Sequence, residues 1–198
     1  NYVGTIQGWV RSTNCPAFVT RDTLPVTQPT LNYTNLVTTT CYRAIVQNGA
    51  CPPSESGTAT ITVDRTSIAG ALNRPDTTIC TGSDAGTLRL TGHRGAIVDW
   101  QRSTNCPGFS NPVNIGHTGA TYNIGTLGAT TCYRVIVRNG ACPAETTATA
   151  RVTVDAASSG GNLPADRTEC EGANVQLCLT GQNSVIVNWE ESADGGAN

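Results

Sequence analysis

The most reactive side chains of this sequence are its nine cysteines. Thiols at C-x-x-C spacing bind zinc or exchange disulfides, and no two cysteines of this sequence have that spacing. A zinc site would also draw on histidine, and the chain has only His93 and His117. So many cysteines without metal-binding spacing are typical of structural disulfides that form in an oxidising compartment. We therefore expect a protein located outside the cell or on its surface.

The remaining polar residues do not form a recognisable catalytic motif. Asp64 and Asp155 are candidates for a calcium site, but each is a single acid outside any D-x-D-x-D loop. No glycine-rich loop joins a strand to a helix, and no serine or cysteine nucleophile motif is present. The sequence predicts no enzyme activity, no cofactor and no metal.

Two kinds of surface modification are suggested by short motifs. Asn32-Tyr33-Thr34 is an N-glycosylation sequon. Asp22-Thr23-Leu24 and Asp76-Thr77-Thr78 resemble the O-glycosylation motif of Bacteroidota, which makes Thr23 and Thr77 candidate acceptors. A mass shift on the peptides that contain these threonines would test the hypothesis.

Composition limits the class of partner. Lysine is absent, and the twelve arginines and fourteen acids give a net charge of -2. Nucleic acid and anionic membranes select strongly basic surfaces, so we expect neither as a partner. No apolar run approaches the length of a membrane span, so no membrane insertion is expected. The chain begins with Asn1 and contains no methionine, and we expect it to be a piece of a longer polypeptide.

An internal repeat organises the chain. Residues 1–64 align without a gap on residues 92–155, and 31 of the 64 positions are identical. A third copy begins with Cys170-x-Gly172, so the period is 89 to 91 residues, the size of a domain. We expect residues 1–65 to be the C-terminal part of a first unit, 66–155 a complete second unit, and 156–198 the N-terminal part of a third.

The complete unit is predicted to be all-β, because short β-type segments alternate with Gly, Asn and Pro. The predicted strands are 87–91, 96–102, 120–124, 132–138 and 147–154, with a hairpin turn at Asn139-Gly140. Several antiparallel strands in about 90 residues with one central Trp are typical of an immunoglobulin-like sandwich. The spacing of Leu127 and Tyr133 is similar to the tyrosine corner of fibronectin type III domains. Ile97 and Trp100 can share a face only if a bulge separates them.

The four cysteines of the complete unit permit three pairings. Antiparallel third and sixth strands would place Cys106 beside Cys132. Cys80 precedes the first strands, at the end of the sandwich where we expect the Asn139-Gly140 turn, so Cys142 is its predicted partner. The same argument in the first unit predicts Cys15–Cys41. Cys51, Cys170 and Cys178 are expected to have no partner within this chain.

The motif series Cys-x-Gly, Trp-x-x-Ser, Thr-Thr-Cys-Tyr-Arg, Asn-Gly-x-Cys and Thr-Val-Asp resembles the tandem immunoglobulin-like repeats of giant Bacteroidota surface adhesins, including the gliding-motility type. The resemblance covers all 198 residues. It implies type IX secretion, a stalk of many domains that spaces a binding region from the cell, and contact with glycans or other cells through regions outside this chain. The partners expected here are neighbouring repeats and, in a fibre, identical chains.

Two other functions stay open from the sequence. The unit is also compatible with an accessory or carbohydrate-binding module of a secreted multidomain enzyme, which would require Trp9, Trp100 and Trp189 to be exposed. A receptor-type domain could bind through a variable loop such as 109–117. The connectors 65–75 and 156–164 contain Gly, Ser, Asn and Pro, and we expect them to permit some bending between units.

Overall fold

The computed structural model describes residues 3–15 and 17–192, and this part of the chain is all-β. No helix long and apolar enough to cross a membrane occurs among the described residues. The strands are β1 (Thr5–Ser12), β2 (Asp22–Leu24), β3 (Thr40–Gln47), β4 (Ser54–Glu55), β5 (Ala59–Ile61), β6 (Ala71–Leu72), β7 (Asp76–Cys80), β8 (Thr87–Thr91), β9 (Ala96–Ser103), β10 (Val113–Asn114), β11 (Thr121–Asn123), β12 (Thr131–Arg138), β13 (Glu145–Thr146) and β14 (Ala150–Asp155).

The second unit is a sandwich of two sheets. The larger sheet has the order β10-β9-β12-β14-β7, with β13 also paired to β12, and the smaller has the order β11-β8-β6. All pairings are antiparallel except the one between β14 and β7. The chain therefore has the predicted all-β, immunoglobulin-like sandwich fold, stapled by disulfides.

The core of the second unit lies between these two sheets. Alternate residues of β8, β9 and β12 point inward, as the period of two along a strand requires. Trp100 is completely buried, and its indole Nε1 donates a hydrogen bond to the Gly119 carbonyl at 2.9 Å. The buried core residues are Ala85, Leu88, Leu90, Trp100, Tyr133, Val135, Val137, Ala150 and Val152.

A β-bulge in β9 brings Ile97 and Trp100 to the same core. The register of β9 against β12 shifts where Asp99 faces Ile136 and Ile97 faces Val137, so that Val98 is the extra residue. Val98 is consequently exposed. The expected bulge is confirmed.

The first unit repeats the central part of this larger sheet. Its sheet has the order β2-β1-β3-β4, with β5 also paired to β3. Ser12 faces Cys41 across β1 and β3, as Ser103 faces Cys132 across β9 and β12. The predicted disulfides Cys15–Cys41 and Cys106–Cys132 are both formed, with Cα–Cα distances of 5.8 Å and 5.4 Å.

The predicted Cys80–Cys142 disulfide is wrong. Cys80 ends β7, a strand absent from the prediction, and β7 runs parallel to β14. This direction carries Cys80 to the end of the sandwich where β12 begins, and the Thr81–Gly82 backbone there bonds to Asp155 and Leu127. Cys142 follows the other end of β12. The eight residues of β12 span about 25 Å, far beyond the reach of a disulfide.

The third segment contains one bridge among its described residues. Asn162 pairs with Thr180 in an antiparallel bridge, and Ala71 pairs with Thr91 at the corresponding place in the second unit. Val185, Val187 and Trp189 are exposed. The segment thus contains the same first pairing as the complete unit but no paired strand in residues 156–192.

Candidate functional site at the unit junction

Hydrogen bonds join residues 64–67, at the boundary between the first and second units, to the turn that follows β12. The Asp64 carboxylate accepts a bond from the Ala141 N–H at 2.8 Å. The Asn139 Nδ2 donates to the Arg65 carbonyl at 2.7 Å. Ser67 adds two bonds, because its hydroxyl accepts from the Asn139 N–H at 2.9 Å and donates to the Pro143 carbonyl at 2.6 Å. The start of the second unit is therefore fastened to the turn that follows β12.

Gly140 makes this close approach possible. It has φ of +51°, in the left-handed region that favours glycine. A side chain at this position would overlap the Asp64 carboxylate. Gly49 occupies the same turn in the first unit with φ of +55°, and nothing lies near the place of its missing side chain. The turn has one conformation in both units, but only the turn of the second unit meets a neighbouring unit among the described residues.

The entry and the exit of the second unit lie at opposite ends of β12. The entry residues Asp64 to Ser67 contact the turn after Arg138, the last residue of β12. At the other end Thr131, the first residue of β12, pairs with Val152, and β14 continues past it to Asp155. Because the chain enters the unit at one end and leaves it at the other, the next unit follows at the far end.

Two of the cysteines outside the disulfides lie at these poles. The Sγ of Cys142 lies at the entry pole, 3.4 Å from the Asp64 carbonyl oxygen and 3.2 Å from the Arg65 carbonyl oxygen. Cys80 is exposed at the exit pole. Cys51, Cys170 and Cys178 are exposed, and none of them forms a disulfide among the described residues.

The calcium candidates are placed apart from each other. Asp64 is held at the entry pole and Asp155 at the exit pole, and the Asp64 carboxylate is occupied by the junction hydrogen bond. No group of three His, Cys, Asp or Glu side chains that could hold a metal occurs in the part of the chain that the structure describes. His117 packs on Tyr122 and Trp100, with ring centroids 5.4 Å and 6.2 Å apart, so it lies at the edge of the core.

The tryptophans do not form an exposed platform. Trp100 is buried in the core and Trp9 is half-buried, whereas Trp189 is 53% exposed. An open cleft of about 430 Å³ lies on the first unit beside Arg11 and Asp22, which form an ion pair at 2.6 Å. The cleft is lined mainly by small polar side chains, without an aromatic face on which a sugar ring could stack.

The candidate glycosylation sites differ in exposure. Thr23 on β2 and Asn32 are exposed. Thr77 on β7 is half-buried and faces Val152 in the sheet. O-glycosylation of Thr23 and Thr77 remains a prediction, and Thr23 is the more accessible acceptor.

The junction is not evident from the sequence, because residues 65–75 have the composition of a flexible connector. Ser67 is buried and Ala71–Leu72 form β6, so this segment is part of the second unit. A signal is present, because Asn-Gly-Ala-Cys-Pro is identical at both turns, whereas a hairpin turn alone requires only Asn-Gly.

One family model matches the chain in two segments, residues 1–65 and 69–156. Its description is a domain of unknown function, DUF8696. The chain belongs to the DUF8696 family. The two matched segments meet at the junction between Asp64 and the Asn139–Pro143 turn. None of the curated proteins compared with the chain matches it.

Proposed function

We propose that this DUF8696 chain is a structural stalk segment of a bacterial cell-surface adhesin or extracellular filament. The observation that carries the proposal is the position of entry and exit at opposite ends of β12. Units connected in this way extend in series and separate whatever lies at the two ends of the polypeptide. The resemblance to gliding-motility adhesins adds type IX secretion and a location on the cell surface to the proposal.

The two disulfides support this function. Each closes a 26-residue loop between neighbouring central strands, which adds roughly 3 kcal/mol of stability in the chain-entropy model. Disulfides form and persist in oxidising compartments, so these two indicate a protein outside the cytoplasm. A thin domain with such crosslinks resists unfolding where proteases and mechanical load act.

The size of the parent polypeptide tests the proposal. The native protein would be purified from its source and measured after reduction and denaturation. A mass of several hundred kilodaltons is expected, because a stalk needs many units of this size. A parent of roughly 60 to 120 kDa would contradict the proposal, since a chain of that size leaves room for a catalytic domain but not for tens of units.

An accessory module of a secreted enzyme is the second candidate, and the exposure of Trp189 is the observation in its favour. Its counterpart in the complete unit, Trp100, is buried and bonded to Gly119. We expect no glycan to bind the chain on an array of polysaccharides. Binding that is lost in Trp189→Ala would favour the carbohydrate-binding function.

A further inference from the structure

Cys80 and Cys142 of the complete unit each lie beside the aspartate that ends a repeat. Cys142 lies beside that of the preceding unit, and Cys80 beside that of its own unit. Asp64 and Asp155 each end a Thr-Val-Asp motif, 91 residues apart, and are equivalent positions. The thiol of Cys142 lies 3.4 Å from the carbonyl oxygen of Asp64, which belongs to the preceding unit. Cys80 is the strand partner of Asp155, which belongs to its own unit. The structure thus shows one side of the junction at Asp64 and the other side at Asp155.

Combining the two sides places both thiols at one junction. The N–H of Thr81, directly after Cys80, donates to the Asp155 carbonyl oxygen at 2.9 Å. The Cys142 thiol faces the equivalent oxygen of Asp64, and a carbonyl oxygen has two acceptor positions. Neighbouring strands lie about 4.8 Å apart, and disulfides join Cα atoms about 4.4 to 6.8 Å apart. A cysteine of the Cys80 type and one of the Cys142 type therefore meet within bonding reach, provided they belong to consecutive units.

We propose that Cys80 forms a disulfide with the cysteine of the Asn-Gly-x-Cys turn in the following repeat, and that Cys142 forms one with the Cys-x-Gly cysteine of the preceding repeat. The inference rests on the proposed tandem stalk and adds a covalent bond across each junction. Cys51 and Cys170 belong to the same two classes of cysteine, by their Asn-Gly-Ala-Cys and Cys-x-Gly motifs. Their lack of a partner within this chain follows from the same rule.

The bond requires an oxidant, which we identify as a disulfide compound such as oxidised glutathione or a thiol–disulfide oxidoreductase. The two cysteine thiols lose two protons and two electrons as the new S–S bond forms. The oxidant's own disulfide accepts the two electrons and two protons and is released as two thiols. Exchange proceeds through a mixed disulfide on one of the two cysteines.

The test supplies the missing half of the first junction. The full chain is extended at Asn1 by a copy of residues 66–91, which places a Cys-x-Gly cysteine twelve residues before Asn1. The original Cys80 is changed by Cys80→Ser, so that the peptide of the added cysteine differs in mass from the peptide of residues 66–89. After folding in a glutathione redox buffer, the protein is alkylated and digested with trypsin without reduction. The chain has no lysine, so cleavage at arginine leaves Cys142 in the peptide 139–151.

The expected result is a crosslinked peptide that joins the added cysteine to Cys142, with the added cysteine protected from alkylation. Cys142→Ser should restore its alkylation, whereas the matched variant Cys51→Ser, in the same turn of the first unit, should leave the crosslink unchanged. The disulfides Cys15–Cys41 and Cys106–Cys132 in the same digest show that both units are folded. An alkylated added cysteine beside these two disulfides, or a crosslink to Cys51, would overturn the proposal.

A second measurement avoids any change to the chain. A synthetic peptide of residues 66–91 is incubated with the unmodified 198-residue chain in the same redox buffer. Selective mixed-disulfide formation at Cys142 rather than at Cys51 is expected, because β5 offers the peptide an edge beside Asp64. Equal reaction at both cysteines would count against the proposal. If the parent has a mass of several hundred kilodaltons but no crosslink forms, the proposed inter-repeat disulfide is wrong and the proposed stalk function still stands.

Discussion

Gly140 and Gly49 occupy the same turn of two units, yet only Gly140 is packed against a neighbouring unit. Both have positive φ, so alanine strains the backbone at either position by about 1 to 2 kcal/mol. At Gly140 the new methyl group would also displace the Asp64 carboxylate and break its bond to Ala141. Glycine is thus required at both positions by the turn conformation, and at Gly140 also by the contact with Asp64.

We therefore predict that Gly140→Ala loosens the junction and that Gly49→Ala does not. In Gly140→Ala the Ala141 amide should exchange its hydrogen faster, because it no longer donates to a carboxylate. The loss of that charge-assisted bond is worth about 1.5 to 3 kcal/mol in local opening. Amide hydrogen exchange measured by NMR checks this, with Gly49→Ala as the matched control. Equal Ala141 exchange in both variants would contradict the role of Asp64.

The buried side chain of Tyr133 makes the stability of the second unit depend on pH. Burial, with a smaller contribution from Tyr122, raises the pKa of Tyr133 to about 12. Its ordinary value in an unfolded chain is about 10, so the unfolded state loses the phenol proton first as pH rises. Stability from this group is complete below pH 10 and falls between about pH 10 and 12, by about 2 to 3 kcal/mol in total.

The measurement is urea unfolding of the second unit at several pH values between 9 and 12, with the free thiols alkylated. Tyr133→Phe keeps the ring but removes the ionisable group, so its stability should change less over this range. Parallel pH profiles for the two proteins would show that Tyr133 ionises as easily in the folded as in the unfolded state.

At the scale of strands, local sequence predicted the elements whose pattern is complete within a few residues. The predicted segments 87–91, 96–102 and 132–138 correspond to β8, β9 and β12, and the hairpin after β12 is confirmed by its pairing with β13 and β14. Buried apolar residues alternate along β8 and β12, and Trp100 of β9 and Tyr133 of β12 are buried in the core. Short segments with this pattern have few alternatives to a half-buried strand.

The parallel strand β7 escaped prediction for a physical reason. It follows Pro75, contains two threonines in a row, and offers Ile79 as its only large apolar residue that packs on the core. Its partner β14 is about 75 residues away in the sequence, so no hairpin signal marks the pairing. Missing this strand reversed the pole assigned to Cys80 and produced the wrong pairing with Cys142.

The disulfide between β9 and β12 gives a prediction at the same scale. Replacing both Cys106 and Cys132 by alanine should lower the free energy of unfolding of the second unit by roughly 3 kcal/mol, because the 26-residue loop is no longer closed. Cys80→Ala, at an exposed cysteine without a partner in this chain, is the control and should change little. Urea unfolding followed by Trp100 fluorescence measures both. Equal stabilities of the double variant and the control would contradict the stapling role.

At the scale of the whole molecule, the shape of the polypeptide depends on how consecutive units are joined. Entry and exit at opposite poles direct consecutive units away from each other, and the hydrogen bonds of Asp64 and Arg65 to the turn after β12 restrict rotation at the junction. The proposed inter-repeat disulfide would restrict it further. A polypeptide of many such units is expected to be a rod, whereas flexible connectors would give a coiled string.

Small-angle X-ray scattering of polypeptides with two, four and six successive units tests this directly. Each polypeptide would repeat residues 65–155 so that every junction contains its aspartate, its serine and its Asn-Gly turn. The account predicts that the maximum dimension increases by the same length for every added unit, by at least the roughly 25 Å that β12 spans. A dimension that grows with about the square root of the number of units, as for a flexible chain, would contradict the stalk.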